Sequence, residues 1–187
     1  MSHPYKLERQ RLIATAAENR WRYAVTLSFI AQCIEARPSP DSMALDIGER
    51  NPLTEEIEKL LGLELHSTEG DLDEVQIPGQ YDYVFSFEVL EHLFNPLWHM
   101  KQIRRCLNPG GRVFLSTPVG KPHFLWSLHH FHELHPREFR SLIECAGLRI
   151  ETLRTARIRP WYFYFSGIRP FARLFYERIF LVELRAS

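Results

Sequence analysis

The sequence is poor in whatever staples a chain, anchors it in a membrane or charges it strongly. Three cysteines (Cys33, Cys106 and Cys145) occur in 187 residues. They are too few and too scattered for a disulfide framework or a thiolate zinc site, which points to a reducing compartment. No run approaches the roughly 20 apolar residues of a membrane-spanning helix. The opening MSHPYKLERQRLIATAAENR contains no apolar stretch of the secretory type. Net charge is absent as well: 23 Lys and Arg balance 23 Asp and Glu, so bulk charge predicts no polyanionic partner. Repeats and low-complexity segments are missing too. The expectation is a cytoplasmic globular protein without covalent cross-links.

What is present fills a core. Hydrophobic residues make up 45% and aromatics 13%, and the length suits a single domain of about 100–200 residues. Charge is spread unevenly. Residues 1–37 carry six basic and three acidic groups, residues 38–151 ten and eighteen, and residues 152–187 seven and two. An acidic middle lies between two basic ends.

Patterning divides residues 1–187 into an N-terminal helical cap (1–37), a core (40–158) and an aromatic segment with a last strand (159–187). Leu12, Ala16, Tyr23, Leu27, Ile30 and Ile34 recur at helical spacing until Arg37-Pro-Ser-Pro40 stops the helix. Met43–Gly48 reads as a short buried strand. Asn51-Pro52 then opens a helix that Gly62 closes. Leu63–Ser67 and Tyr81–Phe87 read as strands, 95–107 as a helix, and Asn108-Pro-Gly-Gly111 as its breaker ahead of a strand over Arg112–Thr117. A helix over Pro136–Ala146 and strands over Leu148–Ile158 and Ile179–Leu184 complete the series. This alternation predicts an α/β fold: a doubly wound, mainly parallel sheet with helices on both faces and an antiparallel edge strand from the final pair.

Several motifs stand in a telling order: Asp46-Ile47-Gly48, Gly70-Asp71-Leu72-Asp73, Tyr81-Asp-Tyr-Val-Phe-Ser-Phe-Glu-Val-Leu-Glu-His-Leu93, Leu107-Asn-Pro-Gly-Gly-Arg-Val113 and the helix–Ala146-Gly147–strand step. Together they resemble class I S-adenosylmethionine-dependent methyltransferases of the type 11 pattern, over residues 40–158. The resemblance implies a Rossmann-like methyltransferase fold with its ligand across the carboxyl ends of the strands. It implies S-adenosylmethionine as cofactor, its methionine part held by Asp46, Ile47, Gly48 and the following loop. Asp71 and Leu72 would flank the adenine, and Phe87 and Glu88 would line the floor below the sulfonium. The sequence departs from the family pattern twice. Arg50 and Pro52 stand at the second and third glycine positions of the loop, so Arg50 either pairs with the cofactor's carboxylate or fills its space. The segment Glu64–Asp71 is too short for the usual second helix, which leaves Glu69 as the acid for the ribose hydroxyls.

Glu88-Val-Leu-Glu91-His92 puts two carboxylates and an imidazole just past a strand end, and residues 126–135 hold four of the nine histidines. An imidazole with its ordinary pKa near 6.5 suits removal of a hydroxyl proton. His92, His130 and His132 are the acid–base candidates, a hint of methylation at oxygen. No metal is favoured. A similar Glu-x-x-Glu-His element carries one in small-RNA 3′-terminal 2′-O-methyltransferases and ubiquinone-pathway O-methyltransferases, and that resemblance implies Glu88, Glu91, His92 and His130 as the set.

Residues 154–178, RTARIRPWYFYFSGIRPFARLFYER, interleave arginines with aromatics. They suit a layer packed over the sheet, a pocket for a phosphorylated or lipid-linked substrate, peripheral membrane contact or a base-stacking groove. Balanced net charge speaks against tight nucleic-acid binding. The functional expectation is methyl transfer to an oxygen of a small or envelope-type acceptor, a phosphosugar or lipid-linked compound. One alternative keeps the fold as a binding protein without turnover, marked by Arg50 and Pro52. A second is a metal-assisted ribose 2′-O-methyltransferase.

Overall fold

A computed structural model describes residues 16–187, with side chains from residue 19 onward. Leu12 and the rest of the first fifteen residues lie outside the described residues. Helix α1 (Ala16–Cys33) is followed by β1 (Ala44–Asp46), α2 (Pro52–Leu61), β2 (Leu65–Ser67) and β3 (Tyr81–Phe87). Then come α3 (Pro96–Arg105), β4 (Leu107–Pro118), α4 (Pro136–Cys145) and β5 (Leu148–Arg157). Two short helices, α5 (Trp161–Tyr164) and α6 (Ile168–Arg173), lead into β6 (Arg178–Ala186).

The six strands form one sheet in the order β2-β1-β3-β4-β6-β5. The first four pair in parallel, and β6 runs antiparallel to both β4 and β5. The expected antiparallel pair therefore forms one edge, with the last strand of the chain inserted inside it. Between β2 and β3 no helix forms, only a turn at Leu72–Glu74, in keeping with the short spacer.

Local chemistry accounts for the helix ends. The Asn51 side chain accepts the Leu53 N–H at 2.9 Å, and the Thr54 hydroxyl accepts the Asn51 N–H at 3.1 Å, so the first turn of α2 is capped reciprocally. Gly62 ends it at φ +69°, a backbone state that costs glycine little. The Asn108–Gly111 stretch behaves differently from the expected break: β4 starts before it, at Leu107. Leu107 pairs with Tyr81 and Arg112 with Tyr83, so the intervening residues bulge from the ladder. Gly110 takes φ +79° in that bulge.

Successive strand residues point to opposite faces, and both faces are covered. Leu45, Val84, Val113 and Leu115 pack with Met100 and Ile103 of α3 and Phe139 and Ile143 of α4. Ala44, Phe85 and Phe114 pack with Phe29 and Ile30 of α1 and Leu53 and Ile57 of α2. Phe85 stacks on Phe114 at 5.5 Å, and Phe29 meets Phe114 edge-on at 6.4 Å. Double coverage explains why β3 and β4 read as continuous apolar runs. Among the described residues, no helix is long and apolar enough to cross a membrane.

Candidate functional site

The carboxyl ends of the parallel strands each deliver one part of the site. β1 ends at Asp46, a buried carboxylate that accepts the Thr54 hydroxyl from the first turn of α2. The chain then turns at Gly48 (φ +117°), whose N–H donates to the Thr68 hydroxyl at 2.7 Å. β3 ends at Phe87, and the next residue is Glu88. At φ +55°, Glu88 is the one non-glycine residue of positive φ among the described residues, a state that costs about 1–2 kcal/mol. Its neighbours hold it there. The Glu88 N–H donates to the Ser116 carbonyl oxygen at 3.1 Å, and the Ser116 hydroxyl donates to Glu88 Oε1 at 2.7 Å. Arg22, reaching over from α1, pairs with Glu88 Oε2 at 3.2 Å.

A cleft of about 700 Å³ crosses these strand ends, within the range of small-molecule sites. Asp46, Ile47, Arg50, Phe87 and Glu88 line it, and so do His92 and His130. Arg50 sits at its border with its guanidinium committed to Glu58 of α2, at 2.9 Å on one oxygen.

The second half of the cleft is built on the turn after β3 and the loop after β4. Glu91 is 1% exposed, and the Thr117 hydroxyl donates to its Oε2 at 3.2 Å. Burial, reinforced by the nearby Glu88 charge, holds its carboxyl well above the usual carboxylate range. His92 Nδ1–H donates to the His129 carbonyl oxygen at 2.9 Å, and its Nε2 lies 3.9 Å from Glu91 Oε1. The His130 ring stands edge-on to His92, with centroids 4.9 Å apart. His130 Nδ1 is 2.7 Å from Glu133 Oε1, and the Lys121 ammonium reaches the same oxygen at 2.9 Å. Burial pushes the Glu133 carboxyl up, but these two donors more than offset it and leave it below the usual range. Glu91, His92 and His130 each offer one donor atom, all within 4.8 Å of one another.

Five predicted residues stay outside the cleft lining, each for a visible reason. The Gly48 N–H is turned toward Thr68. Glu69 is exposed to solvent. The Asp71 side chain accepts the Asp73 N–H at 3.0 Å and so closes its own turn. Leu72 packs against the core under α3 and α4. His132 faces the Phe94 carbonyl oxygen at 3.4 Å. Conversely, sequence reasoning missed Arg22, Ser116, Lys121 and Glu133. Ser116 could have been found as a polar residue at the carboxyl end of a strand, and Glu133 by its place among the histidines. Arg22 carries no local signal.

The family model described as "Methyltransferase domain" matches residues 27–153, from within α1 to β5. The chain belongs to the methyltransferase domain family. Among curated relatives, this methyltransferase domain is 30% identical over 100 residues to the ubiquinone biosynthesis O-methyltransferase of Xanthomonas euvesicatoria, covering 45% of this chain and 42% of that protein. It is 48% identical over 42 residues to the enzyme of the same name from Dechloromonas aromatica, covering 22% and 18%. The chain thus spans well under two thirds of the length of the curated relatives it matches. Among solved structures, the magnesium protoporphyrin IX methyltransferase of Synechocystis, determined with SAH bound, aligns at TM-score 0.61 and 14% identity. That alignment covers 98% of this chain and 95% of the other. At that identity the likeness is one of fold, and the fold is the Rossmann-like one of the family.

Proposed function

We propose that this domain transfers a methyl group from S-adenosylmethionine to an oxygen of a small or envelope-type acceptor, a phosphosugar or lipid-linked hydroxyl compound. The observation that carries the reading is one cleft that joins the strand-end residues Asp46, Phe87 and Glu88 to the imidazoles of His92 and His130. Its volume suits the cofactor, and its buried Asp46 carboxylate and polar Glu88 end suit an amino acid moiety. Asp46 and Ile47 would hold that moiety, with Phe87 and Glu88 beneath it. When bound, S-adenosylmethionine supplies an already electrophilic methyl group, so alignment and proton removal are the protein's share. His92 takes the acceptor proton at Nε2, because its Nδ1–H is committed to the His129 carbonyl oxygen. Glu133 fixes the His130 ring, which orients the acceptor hydroxyl beside it. The O-methyltransferase names of the curated relatives favour oxygen as the acceptor atom.

Calorimetric titration with S-adenosylmethionine and S-adenosylhomocysteine tests the first half, and labelled methyl transfer to a panel of hydroxylated, phosphorylated and lipid-linked sugars tests the second. Saturable cofactor binding is expected, with turnover at least about 100-fold lower in His92→Ala and cofactor affinity unchanged. A folded protein that binds no cofactor at millimolar concentration would instead support the non-catalytic reading, with Arg50 and Pro52 as its cause.

A specific observation favours a second reading, metal-assisted methylation of a hydroxyl. The Glu91, His92 and His130 donor atoms lie within 4.8 Å of one another, and mixed imidazole and carboxylate donors suit divalent ions such as Zn²⁺ or Mn²⁺. The His129 carbonyl and Glu133 fix the two rings from behind, as outer partners of metal-binding histidines do. Glu88 stands apart from this group, its oxygens taken by Ser116 and Arg22. On this reading EDTA abolishes turnover, added metal restores it, and Glu91→Ala no longer retains the ion.

A further inference from the structure

The segment between β5 and β6 has a fixed inner face and an unpartnered outer one. Inside, Tyr164 is fully buried, and the Arg159 guanidinium lies 4.4 Å above the Phe163 ring. Glu177 binds Arg159 at 3.3 Å and Arg173 at 3.4 Å, which ties both ends of the segment together. Outside, the aromatic rings form an unbroken series. Tyr162 meets Trp161 at 6.1 Å, Trp161 meets Phe165 at 6.3 Å, Phe165 meets Phe171 at 6.1 Å, and Phe171 meets Phe175 at 5.7 Å. These rings face solvent: Trp161 is 72% exposed, Phe165 65% and Phe175 64%, and Ile168 beside them is 90% exposed. Surface hydrophobics scattered singly are ordinary, but a continuous patch of large ones marks a binding surface.

Charge selects the occupant. Residues 154–178 contain six arginines and a single acid, Glu177, which already lies between two of them. Arg157 and Arg169 of this segment are exposed, Arg169 directly after Ile168 in the chain, and Trp, Tyr and Phe together with Arg is the chemistry of a lipid interface, apolar rings below and cations at headgroup level. Arg159, Arg173 and Tyr176 of the same segment also line the cleft. The inner side of the segment is thus part of the cleft wall.

We propose that the Trp161–Phe175 face docks on an anionic phospholipid bilayer. Docking is independent of the methyl-transfer reading and is measured without any acceptor or cofactor. The test is co-sedimentation of the full chain with vesicles of phosphatidylcholine alone or of phosphatidylcholine with phosphatidylglycerol, with tryptophan fluorescence as a second readout. Strong association with the anionic vesicles, a blue shift and weakening by salt are expected. The triple variant Trp161→Ser, Phe165→Ser, Ile168→Ser removes only exposed side chains and should keep its thermal melt while losing vesicle association. Arg157→Glu and Arg169→Glu should each weaken association by roughly fivefold or more. Equal or absent association with both vesicle types overturns the proposal. So does a patch that instead self-associates in sedimentation velocity, or that binds single-stranded oligonucleotides in preference to anionic vesicles.

Discussion

Acid should destabilise this protein through one buried imidazole. His99 of α3 is 1% exposed. Burial lowers its pKa from 6.5 to about 4, against smaller opposing effects of the Asp73 charge and a hydrogen bond to the Leu72 backbone. Its Nε2 is buried with no hydrogen-bond partner, so a proton there would place a charge among apolar groups. In the unfolded chain the ring takes up its proton near pH 6.5; in the folded protein it does so only near 4. Between those values the unfolded state binds more protons, so stability falls as pH falls. The contribution is intact above pH 6.5 and lost by about pH 4. At about 1.4 kcal/mol for each pH unit, the full window is worth roughly 3 kcal/mol, of which roughly 2 is gone by about pH 5. The assay is urea unfolding of the wild type and His99→Gln at a series of pH values from neutral to weakly acidic. Glutamine does not titrate there, so the wild-type advantage should shrink by roughly 2–3 kcal/mol across the series. A difference that stays constant with pH refutes the reasoning. The effect should also reach the turn at Gly70–Asp73, because the Asp73 carboxylate accepts the N–H groups of Phe94 and Asn95 at 2.9 Å each, just ahead of α3.

Three further outcomes follow from the packing. Thr54→Val removes both the donor to buried Asp46 and half of the α2 cap, so it should cost about 2–3 kcal/mol by denaturant unfolding; a loss below about 0.5 kcal/mol would show that neither bond matters. Glu183→Gln leaves Arg112, now paired with it at 2.7 Å and bonded to the Cys33 carbonyl oxygen at 2.7 Å, half-satisfied between α1 and the sheet. The expected cost is about 3 kcal/mol, and an unchanged urea midpoint would count against it. Phe85→Ala empties the stack on Phe114 and should lose about 3–5 kcal/mol, seen as a fall in Tm of roughly 10 °C; a shift of a degree or two would mean that the two faces of the sheet repack freely.

Much of the fold was legible because its signals are local. The α2 cap lies within four residues, its stop is one glycine, and the apolar runs of β3 and β4 announce strands covered on both sides. Even the missing helix after β2 could be counted from the spacer. The bulge at Asn108–Gly111 was not, since proline and glycine look like a break until the pairing of Tyr81 and Tyr83 shows the strand resuming across it. Arg50 shows the same limit within the site. Nothing in the local sequence marks Glu58, two helical turns into α2, as the partner of its guanidinium.

By itself, then, the sequence determined the elements, their alternation and the family pattern at the strand ends, because propensity, capping and hydrophobic period act over a few residues. Tertiary structure decided where β6 sits, which carboxylate meets which base, and that His129 and His130 line the cleft while His132 and His135 do not. Glu88 meets Arg22 across 66 positions, and His92 meets the His129 carbonyl across 37. Such pairings depend on where the chain returns in space, and no short-range rule encodes that return. The same holds for the aromatic segment. Its composition was plain from the start, but only the packing divided it into a face buried around Tyr164 and a face left open to solvent.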